Sequence, residues 1–395
     1  MAAFDRRKFI RAAGLSSVPL LIPGSDIFSK EAELSRPGAE TGPDVKLFGD
    51  GEIFDTTGYI EELRKINSTK AIEPDRYGMG GAVTALEKRF EEITGKEKAV
   101  YMTSGTMANE FAISVLSGDK TKVFVQEASH VFNDEADAAQ SVFGKRLIPL
   151  ATGELYFTGE QLQQAIVHYK ESEAFPSAPG CVSIENPVRR ADGRMIPIDE
   201  IKKIAAVCKS NNIPIHLDGA RIYMASAWSG VSVKEYASWF DTIYISLYKY
   251  LGASSGAILC GNKEVMGKME HMIKIHGGSM YRNWTNAAVA MQRLDGVESR
   301  LQLAIARSKE IFAAINRMGY GNINELKDGT NIYKMALNKS INGSLLSDTL
   351  RKYGIRMGKP GPDNIVGISV NETLLYKDSA VVIKAFSDSL AVSKL

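Results

Sequence analysis

Tyr244-Ile-Ser-Leu-Tyr-Lys-Tyr-Leu-Gly-Ala-Ser-Ser-Gly-Ala-Ile-Leu-Cys260 is the stretch on which the fold turns. An apolar run ends in one lysine, Lys249, small residues and glycines follow, and a second apolar run begins. This is the pattern of two buried strands around a tight turn, with an amine at the turn. A lysine in that place is costly unless it is paired, neutral or covalently used. Desolvation lowers an amine's pKa and so raises the fraction able to form a Schiff base. Taken alone, Lys249 also fits the end of an edge strand reaching water.

Outward from this stretch the chain alternates β and α patterns. Strands are expected at Ala99–Thr103, Lys122–Gln126, Arg146–Leu150, Gly180–Glu185, Pro214–Asp218, Thr242–Leu247 and Gly256–Cys260. Helical periodicity between most of them implies an α/β fold: a mainly parallel, seven-stranded sheet covered on both faces. Ligands in such sheets sit at the carboxyl ends of the strands. Three further stretches fall mostly at those ends: Ser104-Gly-Thr-Met-Ala-Asn109, Ala128-Ser-His-Val131 and His216-Leu-Asp-Gly-Ala-Arg221.

The divisions expected are residues 1–45 as export signal and tether, 46–75 as the N-terminal part of a small domain, 76–287 as the large domain, and 288–395 as a smaller α+β domain. Tyr77-Gly-Met-Gly-Gly81 opens an amphipathic helix with Val83, Leu86, Phe90 and Ile93 on one face. Its glycines follow no strand and have the wrong spacing for a dinucleotide fingerprint, which argues against a nucleotide-binding oxidoreductase. Beyond a long helix from Glu298 to Met318, strands are expected at Asn331–Leu337 and Asn364–Val370.

Composition narrows the function. The 395 residues are 44% hydrophobic and 24% charged, with a net charge of +2, and no basic stripe suggests a nucleic-acid partner. No internal run approaches the roughly 18 apolar residues of a membrane span. Cys181, Cys208 and Cys260 lack metal-ligand spacing and read as small buried hydrophobes. At the N-terminus, Asp5-Arg-Arg-Lys-Phe-Ile-Arg11 precedes a mildly apolar run from Leu15 to Pro23. Arg6 and Arg7 resemble a twin-arginine export signal, which implies a periplasmic or exported protein. A plain basic terminus on a cytoplasmic protein is the alternative.

Taken in order, the three stretches and the strand-borne Lys249 resemble pyridoxal-phosphate enzymes of the aspartate-aminotransferase fold (fold type I). Within that group they look most like the threonine aldolase and β-eliminating lyase branch. The resemblance implies pyridoxal 5′-phosphate on Lys249. Ser104, Gly105 and Thr106 open a helix whose free N–H groups suit the phosphate, though Ser104 also fits an ordinary helix cap. Ser246 adds a phosphate contact in relatives. His130 stacks on the ring, or is a turn histidine bonded to backbone. Asp218 pairs with the ring nitrogen, caps a helix, or does both. Glu135 matches a family carboxylate. Arg221 grips a carboxylate, lies at the surface, or pairs with Asp218. Arg282 is carried over as a contact to the phosphate of a neighbouring subunit, and Glu185 and Tyr77 join Arg221 as substrate contacts.

Two departures are visible. The aldolases have a Glu-Asn-x-His run where this chain has Glu185-Asn-Pro-Val188, and Asn364 stands where an arginine before a small-domain strand is expected. The implied reaction is aldol cleavage of a β-hydroxy-α-amino acid to glycine and an aldehyde, in a homodimer or homotetramer. β-Elimination and transamination share the chemistry, and an exported binding protein that kept the fold is the reading from another class.

Overall fold

A computed structural model describes residues 43–395; the expected export signal and tether, residues 1–42 of them, lie outside the described residues. Seven strands form the main sheet: β1 Lys98–Met102, β2 Lys122–Gln126, β3 Arg146–Leu150, β4 Cys181–Glu185, β5 Ile215–Asp218, β6 Thr242–Ser246 and β7 Ala257–Gly261. Their order across the sheet is β1-β7-β6-β5-β4-β2-β3. The β3–β2, β2–β4, β4–β5 and β5–β6 pairs are parallel, and only β7 runs against its neighbours. All five residues of β2, β4, β6 and β7 are buried, which explains why these strands read as continuous apolar runs with no alternation.

Because β1 to β6 point the same way, the turns that follow β1, β2, β5 and β6 all open on one edge of the sheet. Each turn is shaped locally. Ser104 ends β1 and caps the helix Gly105–Ser117 by accepting a hydrogen bond from the Met107 amide at 3.2 Å. Gly256, at φ +103°, sits where a side chain would strike the Tyr101 hydroxyl at 2.6 Å. The helix Gly81–Thr94 buries Val83, Leu86 and Phe90, with Ile93 partly buried against the same core, and ends at left-handed Gly95.

The main apolar core runs from Val83 to Leu301 and includes Ala287, Ala290, Leu294 and Val297. A second core joins Val45 and Leu47 to Ala304, Ile311, Met335, Ile368 and Phe386. Residue 287 is therefore not an edge of the main core: the helix Trp284–Leu294 packs on it, and the helix Val297–Arg317 carries residues of both cores. Around the second core, Gly321–Asn324, Ile332–Leu337 and Ile365–Ser369 form an antiparallel sheet, and Val45–Lys46 pairs in parallel with Ile355–Arg356. The strand at Gly321 is too short and polar to show a period in the sequence.

A buried ion cluster ties the C-terminal part to the helix Trp284–Leu294 and the one that follows. Glu372 accepts hydrogen bonds from Arg293 and, at 2.7 Å, from Arg300 Nε, and its side chain is only 7% exposed. Removing the carboxylate strands two arginines, one of them nearly buried. Glu372→Ala should therefore lower unfolding free energy by about 3 kcal/mol, read from urea denaturation. A loss below about 0.5 kcal/mol, the range of ordinary surface changes, would show that the cluster does not hold the two parts together.

Candidate active site

The edge where the strand ends converge holds a cleft of about 280 Å³. Ser104, Gly105, Thr106, His130, Glu135, Glu185, Asp218, Arg221 and Lys249 all line it. Residues from five separate strand ends, spread over about 145 positions of sequence, are thus gathered in one place, as expected for a doubly covered parallel sheet.

Lys249 follows β6 and is half-buried. Its Nζ lies 5.5 Å from the centre of the Tyr248 ring and 6.0 Å from that of Tyr244. Among the described residues no carboxylate oxygen comes within 4.0 Å of it. Burial, with the Arg221 guanidinium nearby, lowers its pKa to about 8. The edge-strand reading is set aside: this amine faces a cleft and loses its proton far more readily than a surface lysine.

Asp218 ends β5. Its Oδ1 accepts from the Ala220 amide at 3.1 Å and its Oδ2 from Asn109 Nδ2 at 2.9 Å. Its carboxylate braces the turn through Ala220 and lines the cleft, but it does not cap the helix Ile222–Ser229, whose N-cap position is Arg221. Asn109 Nδ2 also donates to Glu135 Oε1 at 2.9 Å, and His130 Nδ1 meets that same oxygen at 3.1 Å. Burial opposes the charged form of His130, but the bond to Glu135, with Asp218 and Glu185 close by, outweighs it and raises the pKa. Glu185 is raised in turn by its burial and by Asp218. Its two oxygens accept the His130 amide (2.7 Å) and the Arg189 amide (2.9 Å), so it fixes the loop that carries His130.

Arg221 does not pair with Asp218. Its Nε donates to Asp50 Oδ2 at 2.9 Å, and its Nη groups make no hydrogen bond among the described residues. Asp50 comes from the segment before the helix Thr56–Thr69, 171 positions away, and nothing in its own Gly-Asp-Gly setting pointed to the site. Gly105 is also held small by packing: a Cβ there would lie 2.1 Å from the Tyr244 hydroxyl. Ser246 is fully buried and does not line the cleft. Tyr77 and Arg282 also lie off the cleft. Their backbones are near each other, with the Tyr77 amide on the Tyr281 carbonyl, and Arg282 Nη1 donates to the Asp75 carbonyl at 2.9 Å. Tyr77 lines a second cavity of about 380 Å³.

Tyr248, Ser254 and Ser255 line the cleft without having been singled out. Their signal was proximity to Lys249 in the sequence. The two departures are explained locally. Val188 is fully buried with its amide bonded to the Arg194 carbonyl, so that position supplies no base. Asn364 has φ +59° and uses its Nδ2 on the carbonyls of Leu337, Asn338 and Ile341, so it closes a turn.

The family model for beta-eliminating lyases matches residues 54–337. The chain belongs to that family. It is 32% identical over 228 residues to a low-specificity L-threonine aldolase of Candida albicans, an alignment spanning 57% of this chain and 60% of that protein. It is 29% identical over 278 residues to a probable low-specificity L-threonine aldolase of Schizosaccharomyces pombe, covering 70% and 71%. The crystal structure of a putative L-allo-threonine aldolase from Listeria monocytogenes superposes with a TM-score of 0.72 at 22% identity, over 88% of this chain and 97% of that one. That likeness establishes the shared fold: the beta-eliminating lyase family member described here has the fold of type I pyridoxal-phosphate enzymes.

Pyridoxal 5′-phosphate is the cofactor that this family implies, and the residues present fit it. The first amides of the helix Gly105–Ser117 have no intrahelical acceptor and, with the Thr106 hydroxyl, would hold a phosphate. Asp218 would hold a ring N–H, His130 a ring face, and Lys249 the aldehyde carbon.

Two outcomes follow from the geometry. Gly105→Ala forces Tyr244 or the helix start to move and should cost about 1–3 kcal/mol of unfolding free energy in urea, with no loss meaning that the close approach is not a constraint. The rate at which the cofactor-free protein takes up pyridoxal phosphate should climb with pH and level off above about 8, because the reactive form of Lys249 is unprotonated; a midpoint near the ordinary lysine value of about 10.4 would contradict a desolvated amine.

Proposed function

We propose that the protein is a pyridoxal-phosphate-dependent carbon–carbon lyase that cleaves a β-hydroxy-α-amino acid of the threonine type to glycine and an aldehyde. The observation that carries this is the lowered pKa of Lys249 in the same cleft as the Asp218 carboxylate, in a chain of this family. The names of the Candida and Schizosaccharomyces relatives support the substrate.

When bound, the cofactor supplies a cationic heterocycle that draws electrons from the substrate's α-carbon. The chain's part is to place the reactants and to move protons. Arg221 offers its free Nη groups to the substrate carboxylate while Asp50 fixes its Nε. Cleavage requires that the β-hydroxyl lose a proton as the Cα–Cβ bond breaks. Val188 cannot take it. His130 can: Nδ1 is held by Glu135, and Nε2 makes no hydrogen bond among the described residues. Lys249, whose amine faces the same cleft, can deliver a proton to the α-carbon.

The active assembly is proposed to be a homodimer or homotetramer. In support, no residue of the helix Thr56–Thr69 is buried, and Tyr77, Met79, Ile275, Met280 and Tyr281 are each at least 46% exposed. Tyr77 and Arg282 would then serve a neighbour's site, and equal sedimentation masses for the protein and a single chain would refute the arrangement. Export through the twin-arginine route is proposed from Arg6 and Arg7. Among the described residues no helix is long and apolar enough to cross a membrane.

The purified protein should release glycine and acetaldehyde from threonine, and Lys249→Ala should abolish this. Ammonia and a keto acid without glycine would indicate elimination instead, the reaction in the family's name. No product from a panel of amino acids would leave a binding protein. With His130 as the base, kcat/KM should rise with pH along a limb above the usual histidine pKa of about 6.5, and Glu135→Gln should move that limb to lower pH. A limb indifferent to Glu135 would remove His130 from the role.

A further inference from the structure

Behind the cleft lies a chain of polar groups with no access to water. Asn109, His216 and Thr242 are each 0% exposed. Thr242 Oγ1 is 2.8 Å from His216 Nδ1, His216 Nε2 is 3.0 Å from Asn109 Oδ1, and Asn109 Nδ2 reaches Asp218 and Glu135 at 2.9 Å each. Asn109 closes one of the stretches read from the sequence and His216 opens another, yet neither touches the cleft.

The direction of every bond in this chain is forced from one end. Ionised carboxylates only accept, so Asn109 turns its NH₂ toward Asp218 and Glu135 and its oxygen toward His216. His216 must then donate through Nε2. Burial lowers its pKa to about 4, so it is neutral and has one proton to give. With that proton on Nε2, Nδ1 accepts from the Thr242 hydroxyl. No other assignment satisfies all four hydrogen bonds, and a buried donor facing a donor, or an acceptor facing an acceptor, is costly.

We propose that Asn109 is a positioning residue for the cofactor-facing carboxylate of Asp218, and that His216 and Thr242 are the lock that keeps its amide the right way round. One atom from each of Asp218, Glu135 and His130 lies within 4.8 Å of the others. Two carboxylates at that separation repel each other, and one amide donating to both offsets the repulsion and holds Asp218 in place. A flipped amide would set its oxygen against both carboxylates and release them. His130, Glu185, Tyr244, Tyr248 and Lys249 also act electrostatically on Asp218, and none of them can replace two N–H donors fixed in place.

The proposal rests on the reading that Asp218 serves pyridoxal phosphate, and the test separates the two. Full-length wild type, Asn109→Ala, His216→Gln and His216→Phe are stripped of cofactor and titrated with pyridoxal phosphate. The pH midpoint of the bound cofactor's absorption change is then recorded, with a urea melt of each apoprotein. Asn109→Ala should weaken binding by roughly tenfold to a hundredfold. It should also move the midpoint by roughly one pH unit, because an Asp218 no longer held in place pairs less well with the ring. His216→Gln keeps a donor for Asn109 and should stay near wild type, whereas His216→Phe should resemble Asn109→Ala. A purely structural role would change the urea melt and leave the midpoint in place, which overturns the proposal. So would His216→Phe matching His216→Gln, and that pair decides the matter if Asn109→Ala does not fold. A wild type that binds no pyridoxal phosphate overturns the reading of the site and this proposal with it.

Discussion

An amine deprived of water, at the end of a buried strand and near a carboxylate it does not touch, is the constraint around which this protein is built. Burial, with the Arg221 guanidinium close by, brings the Lys249 pKa down to about 8. Keeping it there takes a sheet thick enough to bury β6 on both faces and a turn that delivers the amine to the open edge. Asp218 must lie near enough to serve the same ligand, yet an ion pair with Lys249 would stabilise the ammonium. The structure keeps Asp218 occupied with Asn109 and Ala220, and Arg221 occupied with Asp50.

The same economy governs the loop after β2. His130 is useful only with one nitrogen held and the other free. Glu135 holds Nδ1, and Glu185 holds the backbone amide, so ring and loop are fixed from two elements. This also accounts for the tolerance of valine at position 188. That residue sits in the core behind the turn, and the proton transfer is proposed for an imidazole already in the cleft. The burden then falls on Glu135, whose Oε1 serves both His130 and Asn109. His130 and Asp218 are in this way linked through one carboxylate and one amide.

Arg221 shows how a site borrows from distant sequence. The segment carrying Asp50 lies just after the strand Val45–Lys46, which pairs with Ile355–Arg356. The second core therefore positions a residue that fixes an arginine of the first. If Arg221 grips the substrate as proposed, recognition draws on both parts of the chain.

The fold was largely legible in the sequence. Parallel strands buried on both faces appear as short apolar runs, and small or charged residues at their carboxyl ends mark where a ligand fits. Lys249, Asp218, His130 and Ser104-Gly-Thr were legible for that reason: each ends a strand or begins within four residues of a strand's end. What the sequence could not show were relations between side chains far apart along the chain. That Gly105 is small for the sake of Tyr244, that Arg221 answers to Asp50, and that Ser246 faces the interior all depend on how the elements pack. Asn109 and His216 stood in plain view inside the marked stretches, but a hydrogen bond's direction is set by its partner, and only the folded chain brings those partners within 3 Å.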